Sequence, residues 1–325
     1  MVRVAIVGFG KMGVLHGALL SVAGARLSAV VERKGLLVRG LRRSLGGRGV
    51  RVARDLRGVG EVDAVYVLTP VPTHYSIVKE VLGLDGLKGV FVEKTLTDSY
   101  GRSRELCERA EGLVTAVGYQ RRFSVTFRHA LKLIRDGVIG EVEGFTGYAY
   151  SSDLLGLRGE DAFKALRARG GVVRDLGSHL IDLVSWLLKA SIRVLRARRV
   201  GEGPCSEVAV VVRAGDALGN LRFSLCREGF RVPEVGLTLR GSRGSLAVSD
   251  DEVVLEVGGE RRVWYRPSLG DSVTYLLGGP EFMREDEEFL RAVEAGRDFT
   301  GADFAEAAEV DRVIEGIEGA LTRSC

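Results

Sequence analysis

The chain has 325 residues, of which 46% are hydrophobic and 28% charged, with a net charge of +4. That length suits two domains of roughly 150 residues each, and the charge excess is too small to argue for nucleic acid; the arginine clusters, such as Arg39, Arg42, Arg43 and Arg193, Arg196, Arg198, Arg199, come with no reader motif. No apolar run approaches the ~20 residues of a membrane span, and an apolar strand starting at Val2 leaves no room for a leader, so a cytoplasmic protein is expected.

In the first part strands and helices alternate. Val2–Val7 is a short apolar run, Lys11–Val22 reads as a helix, Ala25–Val31 as a strand and Leu36–Leu45 as a helix. Strands follow at Ala64–Leu68, Val90–Glu93 and Val114–Val117, with helices at Ser76–Leu82 and Tyr100–Glu111. This alternation predicts a doubly wound parallel sheet with right-handed crossovers, an α/β Rossmann domain over 1–119.

The pattern changes after Tyr119. A helix is expected over Ser124–Asp136, stopped at Gly137, then a strand over Glu141–Tyr150. The charged stretch Asp153–Arg169 reads as partly helical, and Ser178–Leu188 as a helix with Ser178 as its N-cap. From Ile192 to Tyr265 short alternating runs separated by glycine turns predict a large, mainly antiparallel open sheet. Two helices close the chain, Pro280–Ala295 and Asp303–Thr322. Residues 120–325 are thus expected to be an α+β substrate-binding and oligomerisation domain. The cysteines Cys107, Cys205, Cys226 and Cys325 form no CxxC pair, and no HExxH is present, so no metal site is expected. Cys205 and Cys226 flank one predicted hairpin, but free thiols are the expectation in a reducing cytosol.

Gly8-Phe9-Gly10-Lys11-Met12-Gly13 is a GxGxxG motif that directly follows the first strand and opens a helix. The first glycine allows the tight turn, the second lets backbone approach a pyrophosphate, and the third lets helix and strand pack closely. The helix N-terminus then offers free N–H groups to the anion. This setting predicts dinucleotide binding. Glu32, at the end of the second strand, can accept hydrogen bonds from the adenosine ribose and favours NAD; Arg33 and Lys34 could pair with a 2′-phosphate and leave NADP open.

Four further segments stand at strand or helix ends. They are Thr69-Pro70-Val71-Pro72-Thr73-His74, Glu93-Lys94-Thr95, Gly118-Tyr119-Gln120-Arg121-Arg122-Phe123, and Gly170-Gly171-Val172-Val173-Arg174-Asp175-Leu176-Gly177-Ser178-His179. In this order they resemble the Gfo/Idh/MocA family, the glucose–fructose oxidoreductase and inositol dehydrogenase relatives, almost end to end. The resemblance implies an NAD(P)-dependent dehydrogenase or reductase acting on a sugar, cyclitol or related polyol. Lys94 matches the lysine of the family's Glu-Lys-Pro, with Thr95 replacing proline. Asp175 and His179 match its Asp-x-x-x-His. By resemblance His179 is the general base, Lys94 and Asp175 orient substrate and relay protons, Gln120 lies near the nicotinamide ribose, and Thr69, Pro70, His74 and Glu93 flank the cofactor. The residue types suit the chemistry: histidine titrates near neutrality and can take a hydroxyl proton, and a lysine cation favours the developing alkoxide.

Other residues are open at this point. Asp182, one turn past His179, could position it or be a surface acid. Arg121 and Arg122 could bind an acidic substrate or form a domain-bridging salt link. Tyr148, Tyr150 and Trp186 read as core or sheet-face residues. Substrate stereochemistry would be read between Tyr148 and Arg174 and near Asp271 to Phe282. Two other function classes compete: an NAD-assisted glycoside hydrolase with a recycled cofactor, and a non-catalytic NAD(P)-sensing regulator. An uncovered apolar face on the second sheet would be unfavourable in a monomer, so a homodimer or homotetramer is expected.

Overall fold

The apolar runs near the N-terminus form one parallel sheet in the computed structural model, which describes residues 1–157, 159–272 and 279–323. Its elements are β1 (Arg3–Val7), α1 (Lys11–Val22), β2 (Arg26–Val31), α2 (Gly35–Leu45), β3 (Arg51–Ala53), β4 (Ala64–Val67), α3 (His74–Val81), β5 (Gly89–Val92), α4 (Tyr100–Arg109) and β6 (Val114–Val117). The strands lie in the order β3-β2-β1-β4-β5-β6, and every pairing is parallel. β4 and β5 are buried along their whole length, which is why they read as unbroken apolar runs rather than alternating ones. The three-residue β3 is too short and too polar (Arg51-Val52-Ala53) to stand out in the sequence.

The second sheet follows α5 (Val125–Arg135). Its elements are β7 (Val142–Tyr150), α6 (Gly159–Ala168), α7 (Ser178–Leu188), β8 (Ile192–Val200), β9 (Glu207–Ala214), β10 (Ala217–Ser224), β11 (Glu234–Gly241), β12 (Gly244–Ser249), β13 (Glu252–Val257) and β14 (Glu260–Tyr265). The order is β14-β13-β12-β11-β7-β10-β9-β8, antiparallel except for the β7/β10 pair. α7 packs on the inner face so closely that a methyl group at Gly147 would lie 3.0 Å from Leu180, and one at Gly177 would lie 2.9 Å from Phe223.

The last helices, α8 (Pro280–Ala295) and α9 (Phe304–Arg323), do not both stay with that sheet. The two compact units are Met1–Gln120 with Pro280–Asp311, and Arg121–Gly279 with Arg312–Cys325. The sequence pattern places one boundary at 119/120; the chain instead returns to the first unit at α8. The cause is packing. Tyr66 and Phe91 stack at 4.6 Å, Phe289 meets them edge-on at 5.4 and 5.7 Å, and a side chain at Gly89 would strike Val293 at 2.5 Å. An amphipathic helix carries no mark in its sequence of which sheet it covers.

Arg121 and Arg122 each pair with a carboxylate inside the second unit. Arg121 reaches Asp250 at 2.9 and 3.0 Å, and Arg122 reaches Asp182 at 2.7 Å. All four side chains are at most 3% exposed. Removing one partner of such a pair strands a buried charge and costs about 3–5 kcal/mol. The expectation of free thiols at 205 and 226 is overturned, because the structure joins Cys205, before β9, to Cys226, after β10, in a disulfide. Cys107 is free. Cross-linking a loop of separation 21 stabilises by about 3 kcal/mol through the unfolded chain. Reductant should therefore lower the denaturant midpoint by an amount equivalent to about 3 kcal/mol, and Cys205→Ser should do the same without reductant. Denaturation curves that coincide with and without reductant would contradict the bond.

Candidate functional site

The first unit holds a cradle at the C-terminal ends of β1, β2 and β4. Strand order reverses between β1 and β4, the crevice where open α/β sheets bind ligands. Gly8 turns the chain out of β1 with φ +91°, and a methyl group there would meet Thr69 at 2.7 Å. A methyl group on Gly13 would lie 2.3 Å from the Gly8 carbonyl oxygen, so only glycine lets α1 abut the turn. Gly10, the α1 N-cap, has nothing within 4 Å of its Cβ direction. That space, in front of unpaired helix N–H groups, is what a pyrophosphate requires.

A cavity of about 460 Å³ opens from it, lined by Gly8, Gly10, Lys11, Met12, Glu32, Arg33, Lys34, Arg54, Thr69 and Pro70 among others. The Glu32 carboxylate accepts the Phe9 N–H at 3.1 Å and the Lys34 N–H at 2.9 Å, so it ties the glycine turn to the end of β2. Each of its oxygens keeps a second lone pair for a ribose hydroxyl. The glycine cradle, free helix end and carboxylate fit NAD. Arg33, Lys34 and Arg54 are exposed.

The loops after β4 and β5 are held from beneath. His74 is wholly buried, with Nδ1 2.9 Å from the Thr95 carbonyl and Nε2 2.7 Å from that of Thr69. Burial lowers its pKa against the pull of the two carbonyls. It acts as a strut between two loops. The Lys94–Thr95 peptide is cis, and Thr95, which replaces proline, gives its hydroxyl to the Thr97 carbonyl at 3.0 Å. Asp311 of α9 accepts the Thr97 N–H at 3.1 Å and the Ser103 hydroxyl at 2.7 Å. The Glu93 carboxylate accepts the Lys94 N–H at 3.0 Å and lies 3.5 Å from His16 Nε2. Gln120 is buried at the start of the short turn after β6.

In the second unit Asp175 and His179 lie on one continuous helical segment. Ser178 is not an N-cap: a π-helical turn, Val173–Gly177, runs straight into α7. The wider turn arises where Gly177 lets the helix press on Phe223, and such turns recur at functional sites. Asp175 pairs with Arg169 at 3.1 Å, and Arg169 reaches Asp153 at 2.8 Å. His179 is 6% exposed. The Asp182 carboxylate is engaged by Arg122. The stretch from Asp271 to Phe282 falls partly on 273–278, outside the described residues. Sequence reasoning missed His16, Asp286 and Arg169. His16 had a signal, since it lies three residues beyond Gly13 on the buried side of α1.

Residues 2–119 match the family model described as "Oxidoreductase family, NAD-binding Rossmann fold", and residues 127–247 match "GFO/IDH/MocA C-terminal domain". The chain is 29% identical over 208 residues to scyllo-inositol 2-dehydrogenase (NAD(+)) of Bacillus subtilis (strain 168), spanning 59% of this chain and 55% of that protein. It is 26% identical to inositol 2-dehydrogenase of Rhizobium meliloti (strain 1021), covering 91% of this chain and 89% of the other. The fold superposes on levoglucosan dehydrogenase in complex with NADH and levoglucosan with a TM-score of 0.84, at 18% identity, over 100% of this chain and 98% of that one. The chain belongs to the Gfo/Idh/MocA family of NAD-binding oxidoreductases. Among the described residues no group of side chains could hold a metal ion, and no helix is long and apolar enough to cross a membrane.

Two glycine variants separate packing from binding. Gly10→Ala should keep the melting temperature and lose about tenfold or more in NADH affinity, because its methyl group enters the space left for the pyrophosphate. Gly13→Ala should destabilise the fold by about 1–3 kcal/mol through overpacking. Thermal melts beside NADH fluorescence titrations read both, and an unimpaired Gly10→Ala would remove the phosphate site from this loop.

Proposed function

We propose that the protein oxidises a carbinol of a cyclitol or sugar with NAD, or reduces the matching ketone. The observation that carries this reading is the glycine cradle with Glu32 at its adenosine end, on a chain whose relatives include dehydrogenases of inositols. Bound NAD supplies the hydride acceptor. His179 takes the hydroxyl proton, the general-base role a neutral imidazole can fill. The Lys94 cation stabilises the alkoxide as it forms. Asp175, anchored by Arg169, orients the substrate hydroxyls. Glu32 favours NAD, since a carboxylate there repels a 2′-phosphate, while Arg33, Lys34 and Arg54 soften that repulsion. On this reading the residues that select the substrate fall between Tyr148 and Arg174 and near Asp271 to Phe282. The reading places the enzyme in the cytoplasm, where a free nicotinamide pool recycles it and where the Cys205–Cys226 disulfide is an exception to the usual reduced state of thiols.

The test is NADH formation from NAD and a panel of scyllo-inositol, myo-inositol and levoglucosan, repeated with NADP. At least one compound should turn over, with NAD preferred. Lys94→Ala and His179→Ala should each lower kcat about 10²–10⁴-fold with NADH affinity kept. Full activity in both variants would refute these roles.

The reading includes a homo-oligomer formed through the second sheet. On the side opposite α7, Thr146, Leu218, Asn220, Arg222, Thr238 and Arg240 are exposed. The face is therefore mixed rather than apolar, and an interface on it would use ion pairs as well as burial. Light scattering should give a dimer or tetramer of the 35.1 kDa chain; a monomer at micromolar concentration would count against it.

A further inference from the structure

His16 has no place in the chemistry just described, yet it is among the most enclosed charged groups of the first unit. Its ring is 0% exposed. Tyr66, Phe91 and Phe282 wall it in, with ring centroids at 5.7, 5.2 and 6.1 Å. Nδ1 stands 2.9 and 3.0 Å from the two oxygens of Asp286 on α8, itself 0% exposed. Nε2 stands 3.5 Å from Oε1 of Glu93. The other titratable groups that face this cluster are Tyr66 on β4 and, through Tyr66, the buried Glu285 on α8.

Two carboxylates on opposite ring nitrogens define the state of the imidazole. Nδ1 is hydrogen-bonded to Asp286, while Nε2 makes no hydrogen bond and faces Glu93 at ion-pair distance, so the two negative charges favour the imidazolium form. Burial alone would lower the pKa, but Asp286 and Glu93 outweigh it and hold it up at about 10. Burial also raises the Asp286 pKa; the proton belongs on His16, which has two anions to face where Asp286 has one cation.

The consequence runs through Glu93. Its other oxygen accepts the Lys94 N–H at 3.0 Å. A methyl group at Gly118 would come within 3.4 Å of that same oxygen. The Glu93 carboxylate is thus seated between α1, the start of the Lys94 loop and the end of β6. In a doubly wound fold with the pyrophosphate on α1, the second mononucleotide half lies over this side of the sheet. We infer that His16 is a positioning residue for the nicotinamide half of the site: anchored by Asp286, it holds the Glu93 carboxylate, and Glu93 fixes the backbone from which Lys94 projects. The inference rests on the reading of Lys94 as the lysine beside the nicotinamide. A buried ion triad is not needed for stability, since well-packed apolar groups often serve as well or better. A side chain that merely filled the core at 16 would not have to be charged.

The test compares NADH with ADP-ribose, which shares the pyrophosphate and adenosine but lacks the nicotinamide. Calorimetric affinities are measured on the full chain for wild type, His16→Leu, His16→Gln and Glu93→Gln. The expected result is that His16→Leu and Glu93→Gln weaken NADH about tenfold and leave ADP-ribose unchanged. His16→Gln, which keeps a donor toward Glu93, should recover part of the loss. If His16→Leu does not fold, the selective loss in Glu93→Gln and its partial counterpart in His16→Gln carry the result. Equal weakening of both ligands would make His16 a support of the phosphate loop only, and wild-type NADH affinity in Glu93→Gln would break the chain of contacts; either overturns the inference. No substrate is needed, so a failure of the Lys94 reading, seen as full turnover in Lys94→Ala, stays distinguishable.

Discussion

The Gly8 carbonyl oxygen fills the space where any side chain at position 13 would go. Because Gly13 has none, the first turn of α1 lies directly against the turn out of β1. That contact aims the helix N-terminus at the open space over Gly10 and brings the Phe9 N–H to Glu32, 3.1 Å away on the neighbouring strand end. It also carries His16, one turn further along α1, into the sheet beneath the β5 loop. One backbone contact thus sets the phosphate seat, the ribose carboxylate and the buried imidazolium together.

The Lys94 loop is the second point where several elements converge. His74 braces it from α3, Asp311 from α9, and Glu93 from its own strand end. His74 and Asp311 are buried and Glu93 is half-buried, and each is tied to loop backbone, the kind of polar contact that rigidifies a segment. The second unit follows the same rule. Arg121 with Asp250 and Arg122 with Asp182 are buried pairs in which each guanidinium fork is met by a carboxylate.

Much of this could be read from the residues. Ala64–Val67 and Gly89–Val92 announce buried parallel strands because no position in them alternates to polar. The glycine loop is legible because its chemistry demands a particular residue at each step. What could not be read lies in contacts between distant segments. The His16 partner is 270 positions away. Arg121 finds Asp250 across 129 positions, a partner that spacing along the chain could not name. The disulfide depends on the strand register that brings Cys205 and Cys226 to a Cα separation of 5.3 Å, and register is not written in either cysteine. The N-cap at Ser178 failed for a local reason, since the turn before it is helical too. His74 fits the family motif but sits under the loop, and nothing in the motif tells a strut from a lining residue.

The return of α8 to the first sheet has a consequence for synthesis. A ribosome completes β6 and then makes roughly 170 further residues before Phe289 and Val293 are added. At ordinary elongation rates that interval is about 10–30 s. Throughout it the Tyr66 and Phe91 face has His16 of α1 against it but lacks Phe289, which is not yet translated. The unit begun first is therefore completed only after nearly all of the second has been made, and in the meantime its aromatic face lacks the helix that covers it.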